Sequence, residues 1–250
     1  MTSFKVTILG SGDAFCSGGR ANAAMRVDAG GQCLALEFGA TALLSWKRAG
    51  YASSEIDAVA VSHLHGDHFG GLPFLMLDSE FIAHRKKPLR FVGPKGLRAR
   101  LVMAMEVLFP GSSAIHWSFP WEVVEITPED GAEAAGFKVS CFEVIHPSGA
   151  PALGLRIARG GRLLAFSGDT SWTPNLIKIA NGADLFVCEC FSGDDMIPNH
   201  LSWDVLQAHL PELKAKKIIL THMNDAAHAR AHEIEAAGVM VAHDGFACAL

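Results

Sequence analysis

An apolar segment, IDAVAVS, runs into His63-Leu64-His65-Gly66-Asp67-His68-Phe69-Gly70-Gly71. Few segments restrict a chain as much. Three imidazoles and a carboxylate fall within the six residues 63–68, directly after a strand of buried character. In extended backbone His63 and His65, two apart, project to one side. Past the Gly66 turn, Asp67 and His68 can aim at a second point a few ångströms away. Imidazole and carboxylate suit zinc and its neighbours, so the segment predicts a metal site at a strand end. The chain must then fold so that other elements close around it.

The remaining composition sets the class. Half of the 250 residues are apolar and 19% are charged, enough for a core and too little charge for disorder. The 21 Lys+Arg against 26 Asp+Glu give a net charge of −5, which argues against a general nucleic-acid coat. No apolar run reaches the length of a membrane span. The start, MTSFKVTILGSGD, enters a strand pattern at once, so no secretory leader is expected and a cytoplasmic protein is. Six scattered cysteines, Cys16, Cys33, Cys141, Cys188, Cys190 and Cys248, predict reduced thiols. Without any linker-like stretch, residues 1–250 read as a single domain.

The pattern predicts strands at 4–9, 24–28, 33–38, 56–62, 89–92, 121–126, 137–145, 153–158, 163–167, 184–189, 217–220 and 239–242. Helices are expected at 41–49, 95–108, 174–180, 202–213 (with Ser202 as N-cap) and 226–237. Meandering strands in each half, followed by helix–strand alternation, predict two sheets packed face to face with helices outside. Strand order does not follow from the pattern.

HLHGDH resembles the HxHxDH signature of the metallo-β-lactamase-fold hydrolases. The resemblance implies an α+β, four-layer αββα sandwich with a two-metal site at the sheet edges, and it asks for further ligands after later strands. His146 follows VSCFEVI, Asp169 lies in LLAFSGDT, and His222 ends KKIILTH. By carry-over, His63, His65 and His146 would hold one metal. Asp67, His68 and His222 would hold the other, with Asp169 bridging. Redox members of the family that use iron replace the second histidine of the motif by glutamate; His65 therefore favours hydrolysis by a metal-bridging hydroxide. Two zinc ions are expected, though manganese or iron suit the same ligands.

Within that family the chain is most similar to the ribonuclease Z-like branch, through Leu9-Gly10-Ser11-Gly12, HLHGDH, SGDT at Ser167–Thr170 and NHLSWDVLQ before LTHMN. The similarity implies His200 as proton donor to the leaving oxygen and Glu189 as the carboxylate that orients it; with Asp67 these are the catalytic candidates. Two departures weigh against tRNA 3′ processing. Only 22 residues separate His146 from Asp169, leaving no room for a long basic arm, and Cys188 replaces the histidine that normally precedes the glutamate. Without such an arm, folded RNA would lack its main electrostatic attraction. A compact phosphodiester is favoured, and a cyclic one would fit. Hydrolysis of a carboxylic ester, lactone or sulfate ester, tRNA processing itself, and a non-catalytic metal-containing binding protein are the alternatives. Because the branch is often dimeric, a homodimer is also open, and Trp46, Trp117 and Trp121 could serve an interface or a core.

Other features are read as structural. Gly10-Ser11-Gly12 lacks the third glycine of a dinucleotide fingerprint and reads as a turn allowing close backbone approach. His228 and His232 read as a solvated helix face, Cys188 and Cys190 as core, and Met103, Met105 and Leu108 as core. His243-Asp244 read as structural, and Asp57 as either a buttress of the metal loop or a turn residue. Nothing beyond ordinary placement is expected of His84, His116 and His209.

Overall fold

Gln32–Phe38 (QCLALEF) is buried along its length because it has core on both sides. Leu34 and Leu36 enter one apolar cluster, Cys33 and Ala35 another. This is how a strand sandwiched between two layers reads: apolar throughout, with little alternation. The computed structural model describes residues 4–194 and 197–250, so the first three residues of the predicted leaderless start lie outside the described ones.

Two seven-stranded sheets carry the fold among the described residues. The first comprises β1 (Phe4–Gly10), β2 (Ala24–Ala29), β3 (Gln32–Phe38), β4 (Ala58–Ala60), β5 (Leu89–Gly93) and β6 (Trp121–Glu125) in sequence order, with β14 (Ala247–Ala249) beyond β1. The second runs β13-β12-β11-β10-β9-β8-β7, formed by β7 (Ala132–Ala134), β8 (Phe137–Val144), β9 (Ala152–Arg159), β10 (Arg162–Phe166), β11 (Leu185–Glu189), β12 (Ile218–Thr221) and β13 (Met240–Val241). Each sheet is antiparallel through its meander (β14-β1-β2-β3 and β7-β8-β9-β10). Each turns parallel where helices enter, at β3-β4-β5-β6 and β10-β11-β12-β13. The central core, with Phe4, Leu36, Phe137, Leu155 and Phe166, lies between the sheets. Helices α1 (Ala42–Arg48), α2 (Gly66–Phe69), α3 (Leu72–Leu77) and α4 (Leu97–Leu108) accompany the first sheet. Helices α5 (Asn175–Ala180), α6 (Trp203–His209), α7 (Asp225–Ala229) and α8 (Ala231–Ala236) accompany the second. The αββα sandwich expected from the motif is the observed fold.

Several sequence expectations change. The strand expected at 56–62 is regular only over Ala58–Ala60, since Ile56 still caps the turn Ser53–Glu55 and the chain bends at Ser62. The helix expected at 226–237 breaks at Arg230 into α7 and α8. The short edge strands β7 and β14, and α3 with the π-turn Asp78–Ile82, were not expected. Met105 is core, but Met103 and Leu108 are exposed. Only the face of α4 with Leu97, Leu101 and Met105 packs on the first sheet's outer core. Trp46 is fully buried, and Trp117 and Trp121 pack partly buried against the outer core of the first sheet. Ser202 does cap α6, its hydroxyl accepting from the Val205 amide at 3.4 Å.

Gly10 and Gly12 do permit close approach, but to the chain's own return: a Cβ on Gly10 would sit 1.9 Å from the Asn22 carbonyl oxygen. Gly39, just after β3, matters more for the site. A Cβ there would meet the Asp67 carbonyl oxygen at 2.0 Å and the Asn22 Cβ at 2.6 Å. Gly39→Ala must therefore displace the Asp67 peptide. We expect a loss of about 2 kcal/mol, a fall in Tm of roughly 4–8 °C, and weakened metal uptake, read by thermal denaturation and metal analysis. An unaltered Tm would contradict this packing.

Candidate metal centre

Parallel strands end together, and their carboxyl ends are where open α/β sheets gather ligands. His63 and His65 follow β4, Asp169 follows β10, Glu189 ends β11 and His222 follows β12. The antiparallel β8 delivers His146 to the same edge. Every residue predicted for the site arrives there.

The ligand atoms form two sets. His63, His65 and His146 make one, and Asp67, His68, Asp169 and His222 the other; within each set all ligand atoms lie within 4.8 Å of one another. In the first, His146 Nε2 is 3.0 Å from His65 Nδ1. In the second, Asp67 Oδ2 lies 3.2 Å from His68 Nε2 and 3.0 Å from His222 Nε2, and Asp169 Oδ2 lies 3.3 Å from both imidazoles. Asp169 also reaches toward the first set, 3.8 Å from His63 Nε2. Corners of a tetrahedron centred on zinc at about 2.0–2.1 Å stand roughly 3.3 Å apart, so these separations suit a divalent cation. His63 Nε2, His68 Nε2 and Asp169 Oδ1 are buried and have no hydrogen-bond partner in the protein. Buried polar atoms are rarely left so, and with His222 Nδ1 four of the eight such side-chain atoms among the described residues belong to this one cluster. The residues present fit divalent metal ions.

The ring orientations have visible causes. His68 Nδ1–H donates to Glu37 Oε2 at 2.8 Å, while Glu37 Oε1 accepts the Ser62 amide at 2.7 Å. Glu37 thereby turns His68 Nε2 inward and holds the peptide before His63, as carboxylates commonly do for metal-binding imidazoles. His146 Nδ1–H donates to the Asn199 carbonyl at 2.9 Å, and the Ser62 hydroxyl is 3.0 Å from His63 Nδ1. The His222 amide donates to the Ser11 carbonyl at 3.0 Å, and Ser11 in turn is tied by its amide and hydroxyl to Asp244. Glu37, Asn199 and His222 all have positive φ (62°, 68° and 59°). Such backbone persists only where the surroundings over-determine it.

Glu37 and Asn199 escaped the sequence reading. A lone carboxylate at the end of a buried strand was Glu37's signal; Asn199 acts through its carbonyl, which leaves no trace in a sequence. Asp244 is structural, as expected. Asp57 does not buttress the metal loop: its carboxylate accepts the Cys33 amide and pairs with Lys87, because it precedes β4 and so lies at the opposite end of that strand from His63.

His200 stands beside both sets. Its Nδ1 lies 3.1 and 3.2 Å from the two Glu189 carboxylate oxygens and 4.0 Å from Asp169 Oδ2. Its ring stacks on Phe191 at 4.7 Å and lies parallel to His222 at 5.6 Å. Glu189 also accepts the Thr170 amide at 2.5 Å, linking it to the residue after Asp169. Burial disfavours the charged form of His200, but the hydrogen bond and charge of Glu189 outweigh it and raise the imidazole's pKa.

A family model described as Anti-Pycsar protein Apyc1 matches residues 4–246. The chain belongs to that family. Among curated relatives of this Apyc1-family chain, Ribonuclease BN of Proteus mirabilis (strain HI4320) is 27% identical over 228 residues, 68% of this chain and 72% of the relative. Among solved structures, the metallo-β-lactamase-fold protein YhfI from Bacillus subtilis superposes with a TM-score of 0.81 at 22% identity, covering all of both chains. A diphosphatase from the PhnP family superposes with a TM-score of 0.78 at 21% identity, over 98% of this chain and 97% of that one. The Apyc1-family chain is thus a metallo-β-lactamase-fold hydrolase with ribonuclease Z-like relatives, as HLHGDH implied. None of its helices among the described residues is long and apolar enough to cross a membrane.

Without metal, protons take the cations' place. Burial opposes charge on His68 and His222, yet Asp169 and Asp67 beside them raise both, His222 to about 9. Burial likewise opposes ionisation of Asp169, but the His222 and His68 imidazolium groups hold its pKa well below the usual carboxylate range. The carboxylates thus favour the imidazolium form of both rings, whereas a metal ligand must be neutral. Zinc uptake should expel protons, and affinity should climb with pH as His222, raised to about 9, and His68 give up their protons. Calorimetric titration in buffers of different ionisation heat checks this. Equal heats in all buffers would contradict it.

Proposed function

We propose that the two ligand sets hold a pair of divalent cations, zinc by ligand chemistry, and that the chain hydrolyses a compact phosphodiester with His200 as proton donor. The observation that carries the reading is the convergence of two ligand sets on buried atoms without partners, joined through Asp169. In this reading His63, His65 and His146 hold one cation, Asp67, His68 and His222 the other, and Asp169 contacts both. When bound, such a pair activates water and neutralises charge on the phosphoryl oxygens.

The protein's own groups do the rest. Glu189 accepts from His200 Nδ1, which leaves Nε2 as the ring nitrogen available to the leaving oxygen. Glu189 raises the imidazole's pKa and so favours the protonated form that a general acid needs. Stacking on Phe191 fixes the ring plane. Relatives named as a ribonuclease and a diphosphatase support a phosphate substrate.

A compact substrate is favoured over folded RNA. The stretch between His146 and Asp169 is taken up by the β9–β10 hairpin, paired along its length. The nearby arginines are occupied: Arg156 donates to the carbonyls of Lys178, Ile179 and Asn181, and Arg159 to those of Ala135 and Gly30. With a net charge of −5 the chain offers little long-range attraction to a polyanion.

Elemental analysis and turnover of bis(p-nitrophenyl) phosphate test the reading. The metal-loaded protein should turn over the diester, and chelation should abolish that turnover. Asp169→Ala should lose metal and activity together; full metal and full activity in that variant would overturn the shared-ligand assignment. His200→Ala should keep its metal while kcat for a diester with a poor leaving group falls by about 10²–10⁴. An equal loss on an activated carboxylic ester would overturn its role as proton donor.

A further inference from the structure

Three of the ligand imidazoles are aimed through their second nitrogen. His68 leans on Glu37, His146 on the Asn199 carbonyl and His63 on the Ser62 hydroxyl. His222 differs. Its Nε2 faces Asp67 and Asp169, while its buried Nδ1 has no hydrogen-bond partner among the described residues. The rings of His68, Phe191 and His200 flank it, but the direction in which the side chain leaves the main chain is set by the backbone. That backbone has φ 59°, uncommon for a residue other than glycine.

The loop after β1 holds this backbone in place. The Ser11 carbonyl accepts the His222 amide at 3.0 Å, Gly12 bridges to Met223, and Arg20 Nη2 donates to the Met223 carbonyl at 2.9 Å. One loop therefore grips the chain at His222 and again one residue later. The loop is itself firm. Asp244 accepts the amides of Ser11 and Ala21 and the Ser11 hydroxyl. Asp13, fully buried, accepts the amides of Phe15 and Ser17. Gly12 lies so close to Arg20 that a Cβ would stand 2.5 Å from the Arg20 carbonyl oxygen.

Burying a guanidinium is costly unless it is well paired. The Arg20 side chain is only 14% exposed, and its Nε is buried without a partner. Its carboxylate partner, Asp225 at 3.2 Å, is 74% exposed, where an ion pair contributes little. The contact that justifies the placement is the one to Met223, next to a candidate ligand.

Resting on the two-cation reading, we infer that Arg20 is a positioning residue for the second ligand set: its hold on the Met223 carbonyl fixes the backbone that aims His222. The sign of the effect separates this role from that of charge. Removing a positive charge near a cation site should tighten metal binding, whereas losing the aim of a ligand should weaken it.

Zinc titration of the metal-free protein against a competing chelator, read by calorimetry, tests this without turnover. The wild-type protein should take up two equivalents. Arg20→Met should bind one with unchanged affinity and the other roughly 10–100-fold more weakly, with thermal denaturation confirming a folded chain; Arg20→Ala serves equally if Arg20→Met does not fold. Arg20→Lys, which keeps a donor, should recover most of the loss. Asp225→Asn, which removes the exposed ion pair and spares the Met223 contact, should bind zinc like the wild type. In a His222→Ala background Arg20→Met should lower neither affinity further, because both act through one ligand. Unchanged or tighter binding in Arg20→Met, equal weakening of both equivalents, or a loss that adds to that of His222→Ala overturns the inference. A single equivalent in the wild type overturns the two-cation reading instead, and the same comparison at that equivalent, with and without His222, still decides Arg20.

Discussion

Two buried carboxylates, Asp67 and Asp169, share one small volume with four imidazoles. This is the constraint on which the rest of the structure depends. Burying unpaired carboxylates costs far more than a typical fold's net stability allows. Each is tolerable only because the His68 and His222 imidazoles stand within about 3 Å to supply positive charge, which a divalent cation held there would equally provide. The need for fixed positions explains why His63, His65, His146, Asp169 and His222 follow strands whose middles are locked between core layers, while Asp67 and His68 sit on the short helix α2. It also explains the tension next to them. Three side chains or carbonyls that brace the site come from residues with positive φ, conformations that packing alone would not select.

The supporting carboxylates divide the labour. Glu37 turns one imidazole toward the ligand cluster and holds the peptide before another. Glu189 turns His200 and ties it to the Asp169 loop. Both are buried and their pKa values are pushed up by that burial, so each relies on its histidine to keep the charge in place. Glu37 belongs to the first sheet and Glu189 to the second. The two sheets are thus coupled through the site as well as through their shared core, and the turn at Ser11, bound to both His222 and Asp244, closes the same circuit from the chain's ends.

Much of this was legible in residue order. HLHGDH after an apolar strand pointed to a metal site, the strand period pointed to two packed sheets, and the resemblance carried by HLHGDH implied the later His146, Asp169 and His222, though not Glu37. What stayed hidden was of a different kind. The helix over 226–237 breaks at Arg230, whose guanidinium binds Asp204 on a neighbouring helix and Glu233 on its own, a contact that helical periodicity cannot foresee. Met103 and Leu108 read as core because they are apolar, although only one face of α4 has a sheet to pack on. Asp57 looked close to the metal loop in sequence and lies a strand's length from it.

Residue types and their spacing therefore determined the two packed sheets and the HLHGDH metal motif at a strand end, because periodicity and ligand chemistry are local properties, and the resemblance of that motif supplied the remaining candidate ligands. Tertiary structure alone decided the distances between the candidate ligand atoms, that Glu37 and the Asn199 carbonyl aim the rings, and that Phe15 stands exposed on a braced loop. These are distances between residues up to two hundred positions apart. They are set by how two sheets pack and where their parallel strands end together, which no local pattern contains.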